Sequence, residues 1–207
     1  MLAQSFELTG DSRLLDLDRV ERNIATMAKF FETQASNLRP HFKTPKCPEV
    51  ARRQLEAGAI GITCAKLGEA EEIAKAGLDA SVLIANQILG PLKLKRAVEL
   101  AGRLSELIIA VDDAAQIDAL SEAAGSSGAR IGVVVETDVG MHRCGTAEPE
   151  ETVELARRAQ ASRLEYRGIM GYEGHAVLVP DDAKRRELGE AAIARLIEHR
   201  QALCDAG

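Results

Sequence analysis

Hydrophobic and polar positions along the chain follow two different periods. In one kind of segment apolar residues recur every three or four positions, as at Leu17, Val20, Ile24, Met27 and Phe31, which predicts an amphipathic helix. In the other kind, short continuous apolar runs such as "SVLIA" and "IGVVVE" are typical of strands buried on both faces. After one leading helix the two kinds alternate, so the sequence predicts six units of a strand followed by a helix.

Strands that alternate with helices of this length predict a parallel sheet covered by helices, either an open doubly wound sheet or a (β/α)8 barrel. The turn after the first predicted strand, "KTPKCP", contains no glycine, so the dinucleotide-binding fingerprint is missing. Polar residues instead follow nearly every predicted strand, where barrels build their active sites. These residues are Lys43, Thr63, Asn86, Asp112, Glu136, Asp138, Tyr172 and Glu173. We therefore favour the α/β barrel.

The number of predicted units is smaller than a barrel requires. A complete barrel of this kind has eight strands, whereas the chain shows six and reaches Gly207 in "CDAG", a helix end where a seventh strand would begin. We expect residues 14–207 to form an incomplete barrel. The alternative is a complete open sheet of six strands.

Composition and charge exclude several classes of function. A hydrophobic content of 46% with only 3% aromatic residues predicts an aliphatic core. The net charge of −6 argues against a nucleic-acid partner, and no apolar run approaches the roughly 20 residues of a membrane span. The N-terminal residues do not resemble a signal peptide, and the four cysteines show no CxxC pairing. We therefore expect a cytoplasmic protein with reduced thiols, in which Cys64 and Cys144 are small core residues.

The most reactive side chain that the pattern singles out is Lys43. It ends the first predicted strand and lies between Pro40 and Pro45, so it should point into the mouth of a barrel. A lysine that is buried, or that lies beside another cation, gives up its proton more readily, and the neutral amine can attack a carbonyl. The alternative is a solvated lysine in a basic loop that also contains Arg39 and Lys46.

Two histidines are candidate general bases, because an imidazole titrates near neutral pH. His41 is two residues from Lys43, so on a strand both side chains share a face. His41 could instead form a hydrogen bond to a neighbouring strand. His175 follows the last predicted strand. We expect His199, in the final helix, to lie on the surface.

Three motifs in order resemble one known family. "LRPHFKTPKCPEVARRQLEAG" resembles the start of the D-threonine aldolase and D-serine dehydratase family, pyridoxal-phosphate (PLP) enzymes with an alanine-racemase-type barrel. The lysine of that motif carries PLP covalently, which implies this role for Lys43. "ETDVGMHRCG" and "GIMGYEGHA" resemble motifs whose arginine contacts the cofactor ring oxygen and whose tyrosine lines the PLP pocket, which implies Arg143 and Tyr172. Gln87 is a further candidate for contact with the ring or the substrate.

The resemblance also implies what the chain lacks. Residues 1–13 would belong to a second, β-rich domain, whose C-terminal part we expect to be absent, together with barrel strands seven and eight and the phosphate loops. The ligands of the divalent metal expected in the full-length protein, Mn²⁺ or Zn²⁺, would be absent too. Two local departures are Pro45, where many members have histidine, and Lys66, which could add a second amine near the mouth.

The activity that the resemblance implies is cleavage of a D-configured β-hydroxy amino acid by a PLP-dependent lyase. We expect a D-threonine aldolase-like reaction that yields glycine and an aldehyde, carried out by a homodimer of the full-length protein. This chain alone is expected to be inactive. D-Serine dehydration, amino-acid racemisation and PLP binding without catalysis remain alternatives.

Overall fold

The structure is a computed structural model, and it describes residues 15–207. In that range the chain forms seven helices and five strands. They are α1 (Leu17–Phe31), α2 (Pro48–Glu56), β1 (Ile62–Cys64), α3 (Leu67–Lys75), β2 (Ser81–Ile84), α4 (Pro91–Ala101), β3 (Glu106–Val111), α5 (Ala114–Ser127), β4 (Gly132–Thr137), α6 (Pro149–Gln160), β5 (Glu165–Gly171) and α7 (Asp182–Asp205). Proline occupies the first turn of α2, α4 and α6, where its missing N–H costs nothing.

The five strands form one parallel sheet in the order β1-β2-β3-β4-β5, so each strand pairs with the next along the chain. Such a sequential order is that of a barrel wall rather than of a doubly wound sheet, whose strand order reverses. The aliphatic core includes Ile62, Ile84, Ile109 and Ile117, which are all completely or almost completely buried. The predicted parallel sheet covered by helices, as a partial barrel, is therefore confirmed.

The predicted first strand, residues 36–43, is wrong as a strand. Only His41 pairs with β1, through an isolated parallel bridge to Thr63. The Thr63 amide donates to the Pro40 carbonyl (2.8 Å) and the Phe42 amide donates to the Thr63 carbonyl (2.7 Å). Because Pro40 has no N–H and a turn begins at Phe42, the pairing cannot extend in either direction. The described residues thus contain five strands, with this segment at the edge of β1.

The prediction that His199 lies on the surface is also wrong, because its side chain is completely buried. His199 continues the stripe of Leu188, Ala192 and Leu196, which recurs at spacings of four, four and three residues along α7. That stripe faces α6 and β5, with which α7 packs. Within residues 15–207 no helix, α7 included, is long and apolar enough to cross a bilayer. The predicted segment 1–13 lies outside the described residues.

Candidate active site

The carboxyl ends of the strands surround a cleft of about 490 Å³. Its wall combines aliphatic side chains from the sheet with polar groups from the loops that follow the strands. The lining residues are His41, Lys43, Thr63, Ala65, Leu83, Ala85, Asn86, Gln87, Glu136, Arg143, Cys144, Met170, Gly171 and Tyr172. This is the edge of a parallel sheet at which barrel enzymes bind their ligands. Five of the six predicted site residues line it.

Lys43 lies on a tight turn, which we call the lysine turn (residues 41–46). The turn is closed by a hydrogen bond from the Lys46 amide to the Phe42 carbonyl (2.9 Å), and the Phe42 side chain is only 3% exposed. The Lys43 side chain itself is exposed on the cleft side. Its Nζ lies 5.0 Å from the centroid of the Tyr172 ring. The buried phenylalanine therefore fixes the turn while the lysine remains free to react.

Arg143 approaches the same aromatic ring. Its guanidinium carbon lies 5.7 Å from the Tyr172 centroid, within the range at which a cation is attracted to the face of an aromatic ring. Tyr172 directly follows β5 and is half-buried. Residues on three separate segments of the chain, Lys43, Arg143 and Tyr172, thus meet around one ring.

The segment that carries Arg143 is a closed loop, which we call the arginine loop (residues 138–145). Asp138 holds its interior, because its Oδ1 accepts the backbone amides of Gly140 (2.9 Å) and His142 (3.0 Å). Its Oδ2 contacts the His142 Nδ1 at 3.0 Å. Burial acts to raise the pKa of Asp138, but the two backbone donors and the His142 side chain together lower it. The carboxylate is thereby kept ionised as the internal anchor of the loop.

The two ends of the arginine loop touch. Thr137 and Thr146 form a parallel bridge, and the Asp138 amide donates to the Thr146 carbonyl (3.0 Å). Gly145 makes this approach possible: a Cβ there would lie 2.6 Å from the Asp138 nitrogen, and its φ is +97°. The Gly145 amide also donates to the Asp112 carboxylate at the end of β3 (3.0 Å).

A buried polar chain fastens the base of the loop to the helices. The Thr146 hydroxyl lies 2.5 Å from that of Thr152 on α6, which in turn lies 2.7 Å from the Nδ1 of His199 on α7. All three side chains are buried. The His199 Nε2 has no hydrogen-bond partner among the described residues. Sequence reasoning missed this chain, because His199 lies 47 residues beyond Thr152 and none of the three belongs to a motif.

Glu136, at the end of β4, forms part of the cleft wall and is 5% exposed. Its Oε2 accepts a hydrogen bond from the Gln87 side chain at 2.6 Å. Burial raises the pKa of Glu136; the Gln87 hydrogen bond and the Arg143 cation lower it, and the Asp112 carboxylate raises it. Gln87 is thus committed to orienting this carboxyl group. The sequence signal for Glu136 was a charged residue at the end of a wholly buried strand.

One group of possible metal ligands borders the cleft. Asp112, Glu136 and Cys144 each bring a donor atom within 4.8 Å of the others. Both carboxylates already have protein donors, the Gly145 amide and the Gln87 side chain. The cluster is therefore accounted for by the contacts that fasten the arginine loop. Cys144 is half-buried on the cleft wall, whereas Cys64 is a core residue, whose burial raises the pKa of its thiol to about 12.

The two predicted general bases lie in different places. His41 lines the cleft, and its Nδ1 accepts the Lys43 amide (3.2 Å). His175 lies outside the cleft lining and packs beside the arginine loop, where a Cβ on Gly140 would be 3.4 Å from its Cε1. The His175 Nδ1 is buried without a partner among the described residues. Lys66, exposed at the start of α3, does not line the cleft either.

Comparison with known proteins identifies the family. Residues 15–207 match the alanine racemase N-terminal domain. The chain belongs to that family. Among curated members of similar sequence, D-threonine aldolase of an Arthrobacter species is 34% identical over 95% of this chain, and 3-hydroxy-D-aspartate aldolase of Paracoccus denitrificans is 35% identical over 95%. The chain spans 52% and 51% of their lengths, about half in each case.

Solved structures agree with this alanine racemase N-terminal domain assignment. D-Threonine aldolase from Filomicrobium marinum superposes with a TM-score of 0.89 at 39% identity, over 94% of this chain and 52% of that one. D-threo-3-hydroxyaspartate dehydratase from a Delftia species gives a TM-score of 0.83 at 31% identity, over 93% of this chain and 51% of that one. The partial barrel is therefore shared with enzymes of two reaction types.

Membership in the alanine racemase N-terminal domain family implies PLP, and the cleft of this chain fits that cofactor. PLP requires a lysine that can reach its aldehyde carbon, and Lys43 extends into the cleft. The aromatic ring of PLP needs a flat apolar neighbour, which Tyr172 can supply, and a hydrogen-bond donor to its ring oxygen, which Arg143 can supply. The volume of about 490 Å³ lies within the range of small-molecule sites.

Proposed function

We propose that this chain forms the lysine-bearing side of the active site of a PLP-dependent lyase that acts on D-configured 3-hydroxy amino acids. The observation that carries the proposal is the meeting of Lys43, Arg143 and Tyr172 in one cleft at the carboxyl ends of parallel strands. Relatives named for aldol cleavage or dehydration of D-hydroxy amino acids support the substrate class.

Each residue of the site has a distinct task in this proposal. The Lys43 Nζ would hold the cofactor covalently, and Arg143 would donate to its ring oxygen. PLP, when bound, accepts the electron pair released on the substrate Cα as a bond to that carbon breaks. Tyr172 would pack on the cofactor, and its ring would keep both cations close to it. Glu136, whose pKa burial raises, would hold a proton at the wall of the cleft, and Gln87 would orient its carboxyl group through the 2.6 Å hydrogen bond.

Aldol cleavage, which releases glycine and an aldehyde, is the reaction that we favour. Among relatives that match more than nine tenths of this chain, the aldolases are 34%, 35% and 39% identical, whereas the dehydratase is 32% identical. Dehydration remains the second candidate because that dehydratase matches 97% of this chain. A divalent metal would activate the hydroxyl group in either reaction.

Reductive trapping tests the proposal. A protein of the relatives' length that contains this chain is incubated with PLP and borohydride, and the labelled lysine is located by peptide mass spectrometry. We expect the label on Lys43, its loss in Lys43→Ala, and no change in the control Lys66→Ala. D-Threonine should reduce the labelling more than L-threonine, because the proposed substrate class, taken from the relatives, is D-configured. Labelling that persists at another lysine in Lys43→Ala would show that the site is wrongly assigned.

Product analysis separates the two reactions. With D-threonine and Mn²⁺, an aldolase releases glycine and acetaldehyde, whereas a dehydratase releases ammonia and a 2-oxo acid. We expect glycine from a protein of the relatives' length that contains this chain, and little turnover by the 207-residue chain alone. A 2-oxo acid as the main product would favour the dehydratase.

A further inference from the structure

His41 occupies an unusual position beside the reactive lysine. Its backbone forms the bridge to Thr63, and its side chain lines the cleft. Both the backbone and the side chain of His41 therefore have a defined position. The Nδ1 of its imidazole accepts a hydrogen bond from the Lys43 backbone N–H at 3.2 Å. A nitrogen that accepts a hydrogen bond carries no proton, so His41 is neutral with its proton on Nε2.

The other main-chain hydrogen bonds of the lysine turn do not involve the Lys43 amide, so the bond to His41 is important for its position. The Phe42 amide donates to the Thr63 carbonyl (2.7 Å) and the Lys46 amide donates to the Phe42 carbonyl (2.9 Å). In the described part of the chain, the His41 imidazole is the acceptor found for the Lys43 amide. The imidazole therefore fixes the peptide plane between Phe42 and Lys43, which sets the direction in which the Lys43 side chain leaves the backbone.

We propose that His41 is a positioning residue, and that its neutral imidazole holds the Lys43 backbone so that the lysine amine points into the cleft. The proposal rests on the proposed function for the identity of the reactive amine. It replaces the role of general base, because a base needs a free ring nitrogen facing the substrate, and the unprotonated nitrogen of His41 is occupied by Lys43.

The surroundings of His41 favour the neutral form. Burial lowers the pKa of His41, and the Lys43 cation lowers it further, whereas the Glu69 carboxylate and a hydrogen bond with the Thr63 backbone oppose the shift. Protonation of Nδ1 would replace the acceptor with a donor that faces the Lys43 N–H. The turn should therefore loosen as the pH falls below the ordinary histidine pKa of about 6.5.

Amide exchange provides a test that needs no cofactor. His41→Asn places an amide oxygen near the position of Nδ1, whereas His41→Leu has similar volume and no acceptor. Hydrogen exchange of the Lys43 amide is measured by NMR at one fixed pH above 7. Since one hydrogen bond contributes about 1 kcal/mol, we expect exchange to be about fivefold faster in His41→Leu and nearly unchanged in His41→Asn. Equal exchange in the wild type and His41→Leu would overturn the proposal.

The second test follows the labelling of Lys43 by PLP and borohydride between pH 5 and 8. The wild-type rate should fall more steeply below pH 6.5 than that of His41→Asn, in which residue 41 cannot titrate, and His41→Leu should be slow throughout. Parallel pH profiles for the wild type and His41→Asn would contradict the proposal. Exchange results as expected, with labelling at a different lysine, would refute the proposed function and leave the positioning role intact. A melting curve for each variant verifies that it is folded.

Discussion

The two sides of the cleft are built in different ways. The lysine turn is held by main-chain bonds at the edge of β1, by the His41 imidazole and by the buried Phe42 ring. The arginine loop is fastened by the carboxylates of Asp138 and Asp112 and by the buried chain that ends at His199. The Lys43 and Arg143 side chains that these two segments carry are nevertheless exposed.

This difference shows that the cleft is preorganised through its backbone rather than through burial of the reactive groups. A site residue keeps its position only if the backbone that carries it is rigid. The lysine turn and the arginine loop are made rigid by different interactions. The lysine turn depends on main-chain hydrogen bonds and on burial of the Phe42 ring, and the arginine loop depends on hydrogen bonds to polar side chains. Substitutions that remove one kind of interaction should therefore affect one side of the cleft at a time.

The largest effect is expected at the apolar anchor of the lysine turn. Phe42→Ala removes a ring that is only 3% exposed and should lower the free energy of unfolding by about 3–5 kcal/mol. Phe30→Ala is the control, because that ring is 56% exposed, and it should change stability by about 0.5 kcal/mol or less. Urea unfolding measures both. Similar losses in the two variants would show that Phe42 is not the anchor.

On the other side of the cleft, Gly145 is the position where a substitution should destabilise the arginine loop most. Gly145→Ala forces a Cβ to within 2.6 Å of the Asp138 nitrogen and should destabilise the protein by about 3 kcal/mol. Gly58→Ala is a matched control, since Gly58 has the same φ of +97° but nothing within 4 Å of the added Cβ. It should cost only about 1 kcal/mol. Thermal unfolding of both variants separates the clash from the backbone strain, and equal costs would mean that the loop opens to accept the Cβ.

The pH dependence of stability tests the contribution of His199, which lies at the buried end of the polar chain below the arginine loop. Burial lowers the pKa of His199, and Arg195 lowers it further, against the carboxylates of Glu198, Glu148 and Glu150. Because the unfolded chain binds a proton at higher pH than the folded protein, stability should fall as the pH drops below about 6.5. Each unit of pKa difference is worth about 1.4 kcal/mol.

The variant His199→Asn isolates this contribution. Asparagine can still donate to Thr152 but cannot titrate, so the variant should lose less stability than the wild type between pH 7 and 5. His142→Asn serves as control, because the His142 side chain is 86% exposed. Urea unfolding at both pH values is the measurement. A wild-type slope that survives in His199→Asn would assign the acid sensitivity elsewhere, with His41 the next group to examine.

The sequence predicts most of the fold because its strands and helices have clear periods. It fails where a local chemical detail competes with the pattern: residues 36–43 precede a helix as strands do elsewhere in the chain, yet Pro40 and the turn at Phe42 reduce the strand to one bridge. His199 was misplaced because residue type was weighed above position, although Ala192 and Leu196 mark its face of the helix as buried.

In the candidate site, too, some residues could be predicted from the sequence and others could not. Lys43, Arg143 and Tyr172 could be predicted because each belongs to a contiguous motif, and the structure brings them together. Their supports could not, since the Thr146–Thr152–His199 chain and the Asp112–Gly145 bond join segments that only the folded chain brings into contact. His175 was a candidate base because it follows the last predicted strand, but in the structure it packs beside Gly140 and outside the cleft lining.

The smallest expected effect compares the backbone strain of the two sides. Among the described residues, Lys46 and His142 are the non-glycine residues with positive φ, at 46° and 54°. Glycine removes that strain, so Lys46→Gly should raise the free energy of unfolding by about 0.5–1 kcal/mol. Its ion pair with Glu69, at 4.0 Å and with the lysine side chain 63% exposed, contributes little.

His142→Gly should gain less than Lys46→Gly or lose stability, because the His142 ring contacts the Asp138 carboxylate at 3.0 Å and glycine removes that contact. Lys46→Ala, which removes the charge and keeps the strain, controls for the ion pair. Differential scanning calorimetry of the three variants gives the ordering. If His142→Gly were as stabilising as Lys46→Gly, the contact between the His142 ring and Asp138 would contribute nothing to stability. The hydrogen bonds from backbone amides to the Asp138 carboxylate would then hold the arginine loop without that contact.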